Sequence, residues 1–218
     1  MTVAASQTRP ERGRETREAI LTTAERLFAE HGIAMVSNRQ IGEAAGQSNN
    51  YAVGYHFGTK ADLVREIAHR HTAAKERRRM ELLAEIKGSS DLREWVSCLV
   101  RPTIDHLASL GSPTWHARFV AQADTEPAFR QIVIAEVIAT PSMRQNLEGL
   151  FRLVPDLPEE IRRERGDMSR LLIVHMLAER ERALHEGTAP GRATWEATAV
   201  GLIDAIVGLW LAPVTSTP

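Results

Sequence analysis

The chain is poor in several residues on which small folds and reactive sites often depend. Its 218 residues include one cysteine, Cys98, two tyrosines, and three lysines, Lys60, Lys75 and Lys87. A single thiol excludes an internal disulfide or a thiolate cluster within one chain, which makes a reducing cytoplasm the expected compartment. The N-terminus, MTVAASQTRPERGRETR, lacks the apolar centre of a secretory signal and reads as a floppy arm. The most apolar run, VGLIDAIVGLWLAPV, is too short for a membrane span and carries Asp204. A soluble protein without a membrane partner is therefore expected. A formal net charge of −1 argues against a nonspecific polyanion binder but leaves room for a local basic surface. No stretch shows the sustained period-2 alternation of β-branched residues that would compete as a sheet.

What is present is helix. A hydrophobic content of 43% is enough to bury a core, and the apolar positions recur at helical spacing throughout, so the predicted fold is all-α. The first helix is expected from about Glu15 to Glu30, with Ile20, Leu21, Ala24, Leu27 and Phe28 in one stripe and Gly32 as its stop. Ser37-Asn38-Arg39-Gln40 has the form of a capping box and opens a short helix that ends near Gly46. Thr59 caps a longer helix predicted to run to Gly88. Further helices are expected over 91–110, 113–123, 127–139, 141–151, 158–186 and 194–211, several of them opened by proline.

Between the second and third of these signals lies GQSNNYAVGYHF, residues 46–57, uncharged but crowded with amide, hydroxyl, phenol and imidazole groups. Two short helices around a glycine-containing turn make the helix-turn-helix pattern, whose second helix enters the DNA major groove. A rod from about Asn50 to His56 is roughly 10 Å long, which suits a groove about 12 Å wide. Asn49 and Asn50 can pair with an adenine edge or cap the helix, and Tyr51, Tyr55 and His56 can meet phosphate. Gly54 would let backbone approach backbone, while Ala52, Val53 and Phe57 face inward. Arg39 and Gln40 lie on the helix that crosses the phosphate backbone, and Arg14 and Arg17 either reach the duplex or form a solvated face.

The run RETREAILTTAERLFAEHGIAMVSNRQIGEAAGQSNNYAVGYHFGTKADLV, residues 14–64, resembles the N-terminal domain of the tetracycline-repressor (TetR) family of bacterial transcription regulators. The resemblance rests on F-A-E-H-G, then I-G-E-A-A-G, then Y-H-F-G-T-K-A-D-L in that order. It implies a homodimer that binds palindromic double-stranded operator DNA and releases it when a small organic effector enters the C-terminal domain. It also implies that Tyr55 and His56 form an aromatic pair near phosphates and that Lys60 faces a phosphate. The interval between Gly46 and Gly58 is longer than the commonest one in that family. The expected division is a disordered arm over 1–13, a helix-turn-helix DNA-binding domain over 14–58, a helical ligand-binding and dimerisation domain over 59–213 with 59–87 as linking helix, and a disordered tail over 214–218.

In the larger part, Trp95, Asp105, His106, Trp115, His116, Arg118, Gln122 and His175 interrupt apolar helical runs. Each is either a pocket residue for an amphipathic organic ligand or a satisfied core residue. Arg118 and His175 are the two whose replacement is expected to alter effector response. His69 and His71 lack the i, i+4 spacing of a helical metal pair, so neither a metal site nor a cofactor is expected. Arg77, Arg78 and Arg79 read as a solvated turn. Leu171, Leu172, Val174 and Met176 in one helix, with Trp195, Leu202, Ile203, Ile206, Leu209 and Trp210 in the last, supply surface for a partner chain or for core. Asp105 and His106 are adjacent, about 100° apart around a helix, so an enzyme using them as acid and base is disfavoured. A DNA-binding adaptor controlled by a protein partner stays open beside the effector-responsive regulator.

Overall fold

In a computed structural model the described residues are 9–49, 51–188 and 194–215. They form ten helices and no strand: α1 (Arg9–His31), α2 (Asn38–Ala44), α3 (Ala52–Phe57), α4 (Lys60–Glu85), α5 (Leu92–Ser109), α6 (His116–Thr125), α7 (Pro127–Ile138), α8 (Pro141–Phe151), α9 (Glu159–Glu186) and α10 (Trp195–Leu211). Among the described residues no helix is long and apolar enough to cross a membrane.

Local chemistry sets the boundaries. Ser37 and Thr59 each close a capping box, with Gln40 and Asp62 as the reciprocal partners. Asp91, Thr140 and Thr194 cap α5, α8 and α10 through their side-chain oxygens. The turn after α1 is made at Gly32, whose φ of +86° suits a residue without Cβ, and Ile33 beside it is buried. One expectation needs correction: α1 begins at Arg9 rather than near Glu15, so residues 9–13 are helix and not arm. Pro10 sits in the first turn, where a missing amide costs no hydrogen bond, and Glu11 complements the helix dipole there. Residues 1–8 and 216–218 of the expected arm and tail lie outside the described residues. The helix expected from about Asn50 starts at Ala52.

Two cores organise the chain. The first gathers Ile20, Leu21, Ala24 and Phe28 of α1, Ile41 of α2, Val53 and Phe57 of α3, and Leu63, Val64 and Ile67 of α4. It does not close on itself, because Phe119 and Ala123 of α6 are fully buried within it, Phe119 stacked 6.3 Å from Phe28. The second core joins the far end of α4, at Leu82 and Leu83, to α5, α8, α9 and α10. Helix α4, about 39 Å long for its 26 residues, is common to both. Of the apolar residues read as partner surface, Leu202, Ile203, Ile206 and Trp210 are buried in this second core. They serve the chain's own packing.

Helix α8 approaches α5 closely enough that Gly149 is required. A Cβ at that position would lie 2.0 Å from Cζ3 of Trp95, a buried ring tied down by its Nε1–H donating to the Ser89 carbonyl at 3.0 Å. Gly149→Ala is expected to cost about 2 kcal/mol through overpacking, read as a lowered urea midpoint at unchanged m-value.

Candidate functional site

Helix α3 buries Ala52, Val53 and Phe57 and turns the rest outward. Tyr51 and Tyr55 are 82% and 85% exposed, high values for aromatic rings anchored in so short an element. The His56 ring meets Tyr55 edge-on at 5.2 Å. Among the described residues nothing stands within 4 Å of the position a Cβ would take at Gly54. Tyr51, Gly54, Tyr55 and His56 therefore form one uncharged, donor-rich patch.

The neighbouring candidates divide by what already holds them. Asn49 makes an Asx turn ahead of α3, whose N-cap is Tyr51: its Oδ1 accepts the Tyr51 amide at 2.9 Å and its carbonyl accepts the Ala52 amide at 3.0 Å. Asn50 lies outside the described residues. Arg39 is exposed, 3.5 Å from Glu43, whereas Gln40 Oε1 accepts from the Ser37 amide and hydroxyl at 2.8 Å each. Lys60 does not project away from the protein, since its ammonium donates to the Ile33 carbonyl at 2.9 Å. Arg17 is likewise engaged, paired with Glu66 and stacked 5.0 Å over the Phe57 ring. Arg14 remains exposed on α1.

A second feature lies farther along α4. A cavity of about 500 Å³ opens among α4 to α10, with walls of Val120, Val133, Ile134, Val137, Leu147, Phe151 and Ile173. That volume falls within the roughly 300–1,000 Å³ of small-molecule sites. Thr72, Lys75, Arg79, His116, Asp124, Arg130 and Arg170 place polar groups around it. Burial first, and Arg79 second, push the Lys75 ammonium down to about 8.

Of the eight residues nominated for a pocket, His116 alone lines this cavity. Trp95 is core. Asp105 pairs with Arg78 at 2.8 Å, and His106 faces His71. Trp115 packs against the first core, and Gln122 stands beside Gly32. Arg118 is buried against Glu181, whose carboxylate accepts the Ala117 and Arg118 amides at 3.1 and 2.9 Å and Arg118 Nε at 3.3 Å. Burial nonetheless raises the Glu181 carboxyl above its ordinary range. His175 is half-exposed on the opposite face of α9, in a shallow groove with Met168, Leu171, Leu172, Met176 and Leu209. Polarity inside an apolar run marked these residues as unusual, but a run does not reveal which neighbour a given face meets.

The missed residues carried a periodic signal. Thr72, Lys75 and Arg79 are spaced to share one helical face, and that face lines the cavity. Arg79, expected in a solvated turn, is 4% exposed and donates to the Cys98 carbonyl at 3.1 Å and to Ser142 Oγ at 3.3 Å.

Beside the cavity, four helices bring together a cluster that no single stretch contains. Glu25 of α1 lies 2.9 Å from His71 Nε2 of α4 and 3.1 Å from His116 Nδ1 of α6. The two imidazoles stack at 3.7 Å, and His71 Nδ1 meets His106 Nε2 of α5 at 2.7 Å. Burial would raise the Glu25 carboxyl, but the His116 and His71 nitrogens beside it outweigh that and hold it well below the usual range. Burial, reinforced by His71, lowers His106 to about 4 and His116 well below its ordinary value. At neutral pH the cluster contains an ionised carboxylate and neutral imidazoles at His106 and His116.

Comparison with known proteins agrees with the N-terminal geometry. Residues 20–67 match the family profile described as bacterial regulatory proteins, tetR family. Solved structures similar to this chain include a TetR family transcriptional regulator, PfmR, from Thermus thermophilus, with 15% identity, TM-score 0.48 and coverage of 97% of this chain and 100% of that one. A TetR-family transcriptional regulator from Pectobacterium atrosepticum shows 22% identity and TM-score 0.35 over 95% and 100%. NalD, the secondary repressor of the MexAB-OprM multidrug efflux pump in Pseudomonas aeruginosa, shows 22% identity and TM-score 0.26 over 92% and 84%. These global superpositions are loose, and the similarity to the family rests on the N-terminal match alone. No curated protein sequence matches the chain significantly. Residues 20–67, the segment that holds α2, α3 and the start of α4, are thus similar to the tetR family of bacterial regulatory proteins.

Proposed function

We propose that this protein is a ligand-responsive transcriptional repressor that binds a palindromic operator as a homodimer in the cytoplasm and leaves it when a small organic molecule enters the cavity beside α4. The observation that carries this reading is the continuity of α4. Its first turns pack under the exposed face of α3, and three turns later Thr72, Lys75 and Arg79 line the cavity. A ligand that fits the cavity better in one α4 position than another shifts the position of α3 by that difference in affinity. The functional division is 14–58 for DNA, 59–87 for linkage and the rest to 213 for ligand and partner, with α6 contributing Phe119 and Ala123 to the first core.

Dimerisation has support from the outer face of α9. Leu171 and Met176 are 40% and 50% exposed, and with Met168 and Leu209 they make an apolar groove that a second copy would cover in an isologous contact. Two copies would then present their α3 helices about one DNA turn apart, roughly 34–36 Å.

Selection of bound duplexes from a random pool with the purified protein tests binding, symmetry and spacing together. The expected result is an enriched inverted repeat with half-sites centred about 10 base pairs apart, or a multiple of that. A pool that shows no enrichment over background would discard the proposal.

A further inference from the structure

We propose that Glu25, His71 and His116 form a binding site for a divalent transition-metal ion of the zinc class, joining the first helix to the helices around the cavity. One ligand atom from each residue can be chosen so that all three lie within 4.8 Å of one another, and all three residues are buried. The inner spacings are tighter still. Zinc binds imidazole nitrogen and carboxylate oxygen at roughly 2.0–2.2 Å, which places neighbouring ligands of a tetrahedron about 3.3 Å apart. His71 Nε2 and His116 Nδ1 stand 2.9 and 3.1 Å from the same oxygen, Glu25 Oε1. Small side-chain adjustments open that triangle to metal-ligand geometry.

Unsatisfied chemistry supports the same assignment. His71 Nε2 is buried and 2.9 Å from Glu25 Oε1, yet it is not aligned there as a well-formed hydrogen bond, and a close buried contact of that kind calls for an explanation. On its other side, His71 Nδ1 meets His106 Nε2 at 2.7 Å. This is the arrangement of a metal-bound histidine, whose second ring nitrogen is held by an outer partner that fixes the tautomer. The donor set is two imidazoles and one carboxylate, borderline ligands suited to zinc and its neighbours rather than to magnesium or calcium. Three protein ligands leave a further coordination position, and His116 also borders the cavity. The i, i+2 spacing of His69 and His71 excluded a pair within α4 but had no bearing on partners from α1 and α6.

The test uses tag-free, full-length protein stripped with a chelator and titrated with Co²⁺ alone, followed by displacement with Zn²⁺. One equivalent of Co²⁺ per chain should produce a saturable visible absorption that Zn²⁺ removes. Glu25→Gln and His116→Ala should each lose it, while His106→Ala should keep the band with affinity weakened by about 10–100-fold. His69→Ala, an exposed neighbour paired with Glu136, should behave as the parent. The proposal is overturned if the stripped parent keeps its helical circular dichroism yet shows no saturable band. It is also overturned if the band survives in both cluster variants or disappears with His69→Ala. The parent titration decides the first question even where a variant fails to fold. No DNA is present in the assay, so its outcome is independent of the proposed repressor function.

Discussion

Replacing Glu181 with alanine should destabilise the protein by about 3–5 kcal/mol, the largest stability loss expected from a single polar substitution in this chain. The carboxylate is 1% exposed and does three things at once. It accepts the Ala117 and Arg118 amides in the first turn of α6, where no intrahelical carbonyl is available to them, and it faces the Arg118 guanidinium. Its removal leaves a cation, 8% exposed, without its counter-charge and two buried amides without acceptors. Glu181→Gln should cost less, because its one amide oxygen can still accept one of the two backbone amides and the side-chain volume is kept, although the other amide then faces an NH2 group and the charge is lost. Urea unfolding at neutral pH, with m-values compared, measures both. A loss below about 1 kcal/mol for Glu181→Ala would mean that α6 is not held through this contact. The effect should reach the N-terminal domain, since α6 also carries Phe119 and Ala123 into the first core.

The second large effect is on DNA. If each subunit of the proposed dimer neutralises about three phosphates, the logarithm of affinity for the proposed operator should fall with the logarithm of salt at a slope near −5, a loss of about 10³-fold between 50 and 200 mM. Residues 1–58 contain six arginines, six glutamates and no lysine or aspartate, so their formal charge is zero and the attraction must come from a few placed cations. Two of the available cations are already engaged, Arg17 with Glu66 and Lys60 with the Ile33 carbonyl. Arg39, exposed and held only by a 3.5 Å contact to Glu43, is the more accessible one. Arg39→Ala should flatten the slope by about 2, one phosphate for each of two subunits. Fluorescence anisotropy with the selected operator across salt concentrations gives both numbers. A flat parent slope would remove phosphate neutralisation from the binding mechanism.

Much of the fold was legible because its instructions are local. Ser37 with Gln40 and Thr59 with Asp62 announce helix starts within four residues, and Gly32 marks a stop that needs no distant partner. The inward face of α3 followed from spacing, as the burial of Ala52, Val53 and Phe57 bears out. Errors arose where the deciding partner was remote. The arginines at 77–79 look alike in sequence, yet Arg77 is exposed, Arg78 pairs with Asp105, and Arg79 is buried against Cys98 and Ser142. His175 and His116 both sit among apolar neighbours, but only His116 faces the cavity.

By itself the sequence determined the all-helical class, the positions of most helix ends and the short polar-aromatic helix α3, because capping, glycine conformation and helical periodicity act over a few residues. Only the tertiary structure decided that α6 completes the N-terminal core, that α4 presents Lys75 and Arg79 to a cavity, and that Glu25 meets His71 and His116. Those outcomes depend on how helices far apart in the chain pack against one another. No spacing along the chain encodes them.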